Sequence, residues 1–297
     1  MFRKLLITTL LATLSAQAIA ADDIASRIVS ASNPLTQIVT ALGAESTLVG
    51  IDKTSHTSPS LNKVPDIGYR LSLSSEGILA LNPDLVLLAF DSGPQTVLEQ
   101  IKQSGVEMIQ FPEWVDVEDI HNAITTIASK VGSEEKGEAL KEKVANDAKK
   151  LKEMSMQQPD LSGFFILQEA QLGSPQISGG KTSADKLLGL LNIRNLFGDD
   201  FNNYRAVSLE NQLQKRPDIV LIGHRGNFDS TPTAKERKEE SIPPFQRRMT
   251  GIDHWPQALQ PQCVFDLNMS NYLVYGIHIF SEGEALLTAI NECLQEQ

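Results

Sequence analysis

A helical unit that occurs twice limits the fold of this chain more than any other feature. In its first copy, Ser74 and Glu76 open a short apolar stretch, Pro83-Asp84 ends it, and residues 85–88 are continuously apolar. The second copy keeps this spacing with Ser208, Glu210, Pro217-Asp218 and residues 219–222. Serine and glutamate favour a helix start, and a short apolar run is typical of a buried strand. The matched copies indicate two lobes built alike, although Pro-Asp is also a common entry into any parallel strand.

Strand-like and helix-like segments alternate along the chain, which is typical of parallel sheets covered by helices. The predicted strands are residues 28–29, 47–51, 85–89, 106–111, 163–167, 176–178, 219–222 and 264–267. The predicted helices include residues 33–42, 117–131 and 282–294. Residues 227–262 are polar and interrupted by proline, which predicts a solvated loop and helix face.

Residues 134–156 are rich in Lys, Glu and Ala and carry a sparse apolar stripe. This pattern predicts one long, half-exposed helix, either a rigid connection between two lobes or an ordinary surface helix of one domain. We predict an α/β fold of two βα lobes with parallel sheets, residues 21–133 and 159–297. We expect a linking helix over residues 134–158 to join the lobes and to limit their relative movement. The ligand cleft is predicted between the lobes.

The first 20 residues predict a secretory signal peptide. Arg3 and Lys4 precede an apolar run over residues 5–14, and small residues at Ala18 and Ala20 suit cleavage after Ala20. A membrane anchor is the alternative, but the run is too short to span a bilayer as a helix. We therefore expect export to the periplasm or beyond, as a soluble mature protein.

The composition argues against several functions. A net charge of −11 disfavours nucleic acids and anionic membranes as partners. The two cysteines, Cys263 and Cys293, are either a disulfide or two buried thiols, since an oxidising compartment permits the bond. No CxxC or HExxH spacing occurs, so a structural or catalytic zinc site has little support.

Polar side chains follow several predicted strands, where α/β sheets bind their ligands. These residues are Tyr69, Arg70, Asp91, Ser92, His224 and Arg225. No nucleophile elbow, phosphate loop or dinucleotide motif accompanies them. An exported acidic chain with a cleft and no catalytic motif indicates a solute-binding protein.

Several motifs of the chain resemble the periplasmic haem-binding proteins of haem ABC importers, a group related to carriers of ferric siderophores and cobalamin. These motifs are Arg27-Ile28-Val29-Ser30, Leu48-Val49-Gly50-Ile51-Asp52, Pro65-Asp66-Ile67-Gly68-Tyr69, Leu73-Ser74-Ser75-Glu76 and Asn82-Pro83-Asp84-Leu85-Val86. The match is dense over residues 27–112 and thinner to the C-terminus. The resemblance implies a monomeric carrier without enzymatic activity that takes haem to the permease dimer of an inner-membrane ABC transporter, with an outer-membrane haem uptake system upstream.

The resemblance also implies an iron ligand, because the family's axial tyrosine falls on Tyr69. A phenolate suits ferric iron, and a neighbouring cation favours the phenolate. The alternative is a half-buried loop aromatic. Many members carry an arginine two residues later, where this chain has Leu71, so Arg70 is the candidate for that role.

Some members of the family add a histidine from the second lobe, but no histidine lies between residues 122 and 223. His224 is our independent candidate because it follows a strand; a hydrogen-bonded loop histidine is the alternative. Lys181, Arg225 and Arg247 are candidates to meet the haem propionates, or they are surface charges.

The resemblance implies docking through one glutamate of each lobe onto arginines of the permease. Glu76 and Glu210 match these positions; the alternative is that the helix dipole alone favours both carboxylates. Two other functions stay open at this point. The first is a siderophore or cobalamin carrier of the same fold, and the second is an exported hydrolase.

Overall fold

The computed structural model describes residues 24–168, 176–224, 244–252 and 255–296, so the predicted signal peptide lies outside it. The first lobe contains a four-stranded sheet in the order β2-β1-β3-β4, and all of its neighbouring strands are parallel, as predicted. The strands are β1 (Ile28–Ser30), β2 (Leu48–Ile51), β3 (Leu85–Leu88) and β4 (Glu107–Gln110). The helices are α1 (Asn33–Ala41), α2 (Ser75–Leu79), α3 (Gln95–Gln103) and α4 (Val117–Lys130).

The second lobe contains a mixed sheet in the order β10-β11-β9-β5-β6-β8, and β7 also pairs with β5. Its strands are β5 (Leu161–Gln168), β6 (Gln176–Ser178), β7 (Ile193–Asn195), β8 (Tyr204–Ala206), β9 (Ile219–His224), β10 (Phe245–Arg247) and β11 (Cys263–Asn268). Its helices are α6 (Ser183–Leu190), α7 (Leu209–Lys215), α8 (Met269–Tyr272) and α9 (Ile279–Gln295).

The parallel sheet predicted for this lobe is confirmed for β11, β9, β5 and β7 and is wrong at the edges. β6, β8 and β10 run antiparallel to their neighbours. Only seven residues separate β5 from β6, too few for the crossover that a parallel pair needs. The prediction of a loop over residues 227–262 is also wrong at β10, because the Phe245 ring packs against Phe265 and Tyr272. Residues 225–243 lie outside the described part.

A 22-residue helix, α5 (Glu134–Ser155), follows the first lobe, as the sequence predicts. It packs against α4 of the first lobe and against α9 of the second. Its side chains Val144 and Leu151 are buried, and they belong to a hydrophobic core that extends into both lobes. The helix therefore ties the lobes together through apolar packing along its length.

The repeated unit begins with the same helix cap in both lobes. The Ser74 hydroxyl accepts a hydrogen bond from the Gly77 amide at 3.2 Å, and the Ser208 hydroxyl accepts one from the Asn211 amide at 3.4 Å. Each hydroxyl satisfies an amide that has no partner within its own helix. The sequence prediction of two capped helices is confirmed.

The aspartate of each Pro-Asp pair binds a serine at the start of the neighbouring strand. Asp84 Oδ2 accepts from the amide and the hydroxyl of Ser26 at 2.9 and 2.8 Å. Asp218 Oδ2 accepts from the amide and the hydroxyl of Ser162, both at 2.8 Å. This shared clamp explains why Pro-Asp recurs, since it joins two parallel strands at their amino ends in each lobe.

The clamp on Asp84 predicts a pH dependence of stability. Burial raises the pKa of this carboxyl, but hydrogen bonds from Ser26 and Arg27 outweigh burial and hold the pKa below its ordinary value of 3.8. A carboxyl whose pKa is lower in the folded than in the unfolded chain stabilises the folded chain above about pH 4. This stabilisation is lost as the pH falls through the lowered pKa. We expect Asp84→Asn to lower the urea midpoint at pH 7, and the deficit to shrink towards pH 3. Asp160→Asn is the control, and a deficit that grows on acidification would contradict this account.

Cys263 and Cys293 form a disulfide, with a Cα–Cα distance of 6.2 Å, which decides between the two alternatives left by the sequence. The bond joins β11 to α9, and both residues are buried.

Across the described segments, no helix is both long enough and apolar enough to cross a membrane.

Candidate functional site

A cavity of about 890 Å³ lies between the two lobes. Ser32, Ala89 and Phe111 reach it from the ends of β1, β3 and β4, and Leu167 reaches it from the end of β5. The carboxyl ends of the parallel strands therefore face one another across the cavity, as expected for ligand sites on α/β sheets. The predicted cleft coincides with this cavity.

Tyr69 lines the cavity on a loop that is fixed to the end of β2. The Gly68 carbonyl accepts from the Lys53 amide at 2.8 Å, and the Ile67 amide donates to the Ile51 carbonyl at 2.9 Å. Gly68 has a φ of +88°, a conformation that favours glycine. Tyr69 itself is 40% exposed, so a ligand in the cavity can reach its phenol.

Arg70 turns back onto Tyr69, although it lies one residue before the position of the family's arginine, which Leu71 occupies here. Its Nη1 lies 3.3 Å from the Tyr69 hydroxyl, and its guanidinium carbon lies 5.1 Å from the centre of the ring. Nε and Nη2 both donate to the Asp91 carboxylate at 2.8 Å. Burial lowers the pKa of Arg70, but the hydrogen bonds and charge of Asp91 outweigh burial and raise it. A permanent, fixed cation therefore lies beside the Tyr69 phenol.

A buried carboxyl, which the sequence analysis did not identify, supports this wall of the cavity. Asp52 is fully buried and accepts from the Thr54 amide, the Thr54 hydroxyl and the Ser55 hydroxyl. Burial raises the pKa of Asp52, although these hydrogen bonds partly oppose the shift. These hydrogen bonds fix the turn that carries Lys53, and the Lys53 amide in turn donates to the Gly68 carbonyl beside Tyr69. An aspartate followed by Thr and Ser after a strand was the available signal for such a turn.

The second lobe contributes three tyrosines to the opposite wall. Burial raises the pKa of Tyr204 and of Tyr272. Burial and the charges of Asp116 and Asp119 raise the pKa of Tyr275 to about 12. These three phenols therefore keep their protons at neutral pH and offer hydroxyl groups and ring faces rather than anionic oxygen.

His224 is the last residue of β9 rather than a residue beyond the strand. Its Nε2 lies 2.5 Å from Asp266 Oδ1, and Arg248 also donates to Asp266. Burial raises the pKa of Asp266, but the bonds to His224 and Arg248 outweigh burial and lower it. Among the residues that the structure describes, those lining the cavity do not include His224. The geometry corresponds to the alternative of a hydrogen-bonded histidine.

Two of the three propionate candidates, Lys181 and Arg247, are not among the described residues that line the cavity. Arg225 lies outside the described residues. Arg247 forms an ion pair with Glu296, and the Lys181 amide donates to Asp185 at 3.2 Å. Within the described ranges, the lysines that line the cavity are Lys53 and Lys186. No local pattern pointed to Lys186, because it lies on the polar side of an ordinary helix.

Glu76 and Glu210 lie in the first turns of α2 and α7. Both are exposed, and Glu210 accepts a weak hydrogen bond from Gln214 at 3.4 Å. Each stands beside the cap of its copy of the repeated unit, so the two lobes present equivalent carboxylates to solvent.

The fold and the cavity define a two-lobed ligand-binding protein. A family model described as periplasmic binding protein matches residues 28–242, and the chain belongs to that family. Proteins of this family bind a small ligand, work with an ABC importer and are not enzymes, which rules out the exported hydrolase.

Individual relatives differ in what they bind. The chain is 23% identical over 220 residues to a vitamin B12-binding protein of Vibrio parahaemolyticus, covering 74% of this chain and 78% of the relative. It is 28% identical to a periplasmic haem-binding protein of Pseudomonas aeruginosa, with a TM-score of 0.60 and coverage of 71% and 76%. It is 25% identical to a periplasmic haem-binding protein of Vibrio cholerae, with a TM-score of 0.67 and coverage of 89% and 98%.

Proposed function

We propose that this periplasmic binding protein captures haem in the cavity between its lobes and delivers it to an ABC importer in the inner membrane. The observation that carries the proposal is the Tyr69 phenol on the cavity wall, with the Arg70 guanidinium 3.3 Å from its oxygen. In this proposal Tyr69 is the axial ligand of the haem iron. Residues 1–20 are the cleaved signal peptide.

The chemistry of this pair suits ferric haem. A phenolate is an anionic oxygen ligand that binds ferric iron in haem proteins. Arg70 places a positive charge 3.3 Å from this oxygen, a charge that complements an anionic ligand atom. Asp91 keeps Arg70 in place with two parallel hydrogen bonds, the strong bidentate geometry of an arginine and a carboxylate.

The charges on the cavity wall also favour an acidic ligand. Among the described lining residues, Lys53, Arg70 and Lys186 are cationic, whereas Asp91 and Glu113 are carboxylates. The cavity is thus locally positive in a chain whose net charge is −11. Haem carries two propionates, and a cavity wall with a net positive charge favours such an anion.

A corrinoid is the second candidate ligand, because the matched relative from Vibrio parahaemolyticus is named as vitamin B12-binding. The two candidates are compared by quenching of Trp114, which lines the cavity. We expect hemin to quench this fluorescence until the site is saturated. Cyanocobalamin and a ferric hydroxamate siderophore are expected to bind at least about tenfold more weakly than hemin, which corresponds to about 1.4 kcal/mol of binding free energy. Tighter binding of cyanocobalamin or of the siderophore would overturn the haem proposal and leave the carrier function.

Arg70→Lys is expected to lower hemin affinity by about tenfold to hundredfold, the usual effect of losing a partner of a metal ligand. Lysine keeps the charge but cannot bind Asp91 with two parallel bonds, so the cation no longer has a fixed place beside Tyr69. Isothermal titration with hemin measures the effect, and Arg205→Lys on β8, outside the cavity lining, is the control. Unchanged affinity in Arg70→Lys would show that Arg70 does not support the ligand.

We also propose that Glu76 and Glu210 dock onto arginines of the permease dimer. Exposed charges at an interface rim mainly set orientation and association rate. Glu76→Lys or Glu210→Lys is therefore expected to reduce stimulation of the importer ATPase in proteoliposomes by roughly tenfold, with hemin affinity unchanged. Glu142→Lys on the exposed side of α5 is the control. If Glu76→Lys and Glu210→Lys stimulate the ATPase as strongly as Glu142→Lys does, neither glutamate belongs to the docking surface.

A further inference from the structure

An ion pair joins the two lobes at the wall of the cavity. Lys186 Nζ lies 2.8 Å from Glu113 Oε1. Glu113 follows β4 in the first lobe and Lys186 lies on α6 in the second, and both side chains line the cavity. Any ligand that occupies the cavity therefore meets this pair from inside.

The pair is poorly placed to stabilise the fold. The side chains of Lys186 and Glu113 are 41% and 52% exposed, and exposed ion pairs contribute little to stability. The lobes are already held by α5, which packs against both α4 and α9. The pair can open by side-chain rotation without moving the lobes, so its position is better explained by the ligand than by stability.

Of the two cavity cations that the described structure pairs with a carboxylate, Lys186 is better able than Arg70 to change its partner. Arg70 is fixed to Asp91 by two hydrogen bonds, whereas the Lys186 ammonium, at the end of a flexible side chain, has one polar contact among the described residues, to Glu113. An ammonium has three donors and is indifferent to the geometry of a carboxylate. If a ligand carboxylate takes the place of Glu113, Lys186 stays paired and the half-exposed Glu113 is hydrated.

We infer that Lys186 is the residue by which this cavity selects a ligand that carries carboxylates, and that the ligand displaces Glu113 from it. The inference rests on the proposed function, since haem has two propionates. A corrinoid of the vitamin B12 type has neutral amides in place of free carboxylates. An amide cannot replace the charge of Glu113, so the exchange favours the carboxylates of haem over the amide side chains of a corrinoid.

Hemin and hemin dimethyl ester test the inference, because they share the iron and the macrocycle and differ in charge. We expect Lys186→Met to weaken hemin binding by about tenfold and to change binding of the ester less than about twofold. Glu113→Gln is expected to strengthen hemin binding several-fold, since it removes the competing charge. Lys149→Met removes the same charge from the exposed side of α5 and is expected to alter neither ligand.

Three results would overturn the inference. Hemin binding by Lys186→Met at the wild-type affinity would show that the lysine does not recognise the carboxylate. An equal loss for hemin and its ester would show that Lys186 acts through packing. In both cases saturable hemin binding by the wild type leaves the proposed function standing. A wild type that binds neither porphyrin would reject the proposed function and this inference together.

Discussion

Tyr69→Phe is expected to lower the affinity for hemin by at least about a hundredfold, which corresponds to roughly 3 kcal/mol. The substitution keeps the ring that lines the cavity and removes the single oxygen atom that would bind iron. Arg70 would then face an apolar edge instead of a hydroxyl at 3.3 Å. Absorbance titration with hemin measures the affinity and shows at the same time whether the iron changes its ligand.

Tyr275→Phe is the matched control for this prediction. It removes a hydroxyl from the opposite wall of the same cavity, where burial and nearby carboxylates hold the proton on the phenol. We expect this variant to bind hemin within about threefold of the wild type, a difference under 1 kcal/mol. Equal losses in the two variants would mean that the cavity needs hydroxyl groups in general and that Tyr69 has no special role.

Removal of the Cys263–Cys293 disulfide is expected to cost about 3–4 kcal/mol of unfolding free energy. The two residues are 30 positions apart, and a bond that closes a loop of this length mainly restricts the unfolded chain. The double variant Cys263→Ala with Cys293→Ala avoids leaving a lone thiol in the core. Guanidinium unfolding of the oxidised wild type, the reduced wild type and the double variant gives the free energies.

Hemin affinity is the control for the disulfide variant, because β11 and α9 are joined away from Tyr69. We expect the folded variant to bind hemin as the wild type does. Identical unfolding of oxidised and reduced wild type would contradict the predicted stabilisation. Loss of hemin binding in a folded double variant would instead show that the bond shapes the cavity.

The repeated unit was readable from the sequence because each of its signals is local. A serine cap, a Pro-Asp pair and an apolar run are all set by neighbours within 15 residues. The structure confirms both caps and adds a reason for the aspartates, Asp84 and Asp218, which bind serines of adjacent strands. That contact joins residues more than 50 positions apart, so no local pattern could predict it.

The edges of the second sheet were not predictable in the same way. β7, β8 and β10 are three residues long, too short for a period-two pattern to emerge from the background. The Cys pair and the direction of β6 likewise depend on tertiary contacts. The parallel centre of the sheet, β5, β9 and β11, was predicted because its strands are predominantly apolar.

The candidate site shows the same difference between local signals and long-range contacts. Tyr69 was identified through a short motif, and it does line the cavity. The orientation of Arg70 depends on a one-turn helix and on Asp91, 21 residues away, so the sequence alone left it open. Glu113 and Lys186 are 73 residues apart in different lobes, and neither has a local signature. Side chains that meet only across a cleft need the structure to be found.

An absorbance titration of the mature wild-type protein with hemin tests the central proposal most directly. We expect a Soret band that saturates and a charge-transfer band typical of a phenolate bound to ferric iron. Both bands follow from Tyr69 as the axial ligand at the cavity wall. A spectrum that never saturates would contradict haem as the ligand. A saturating spectrum without the charge-transfer band would keep haem and remove Tyr69 from the iron.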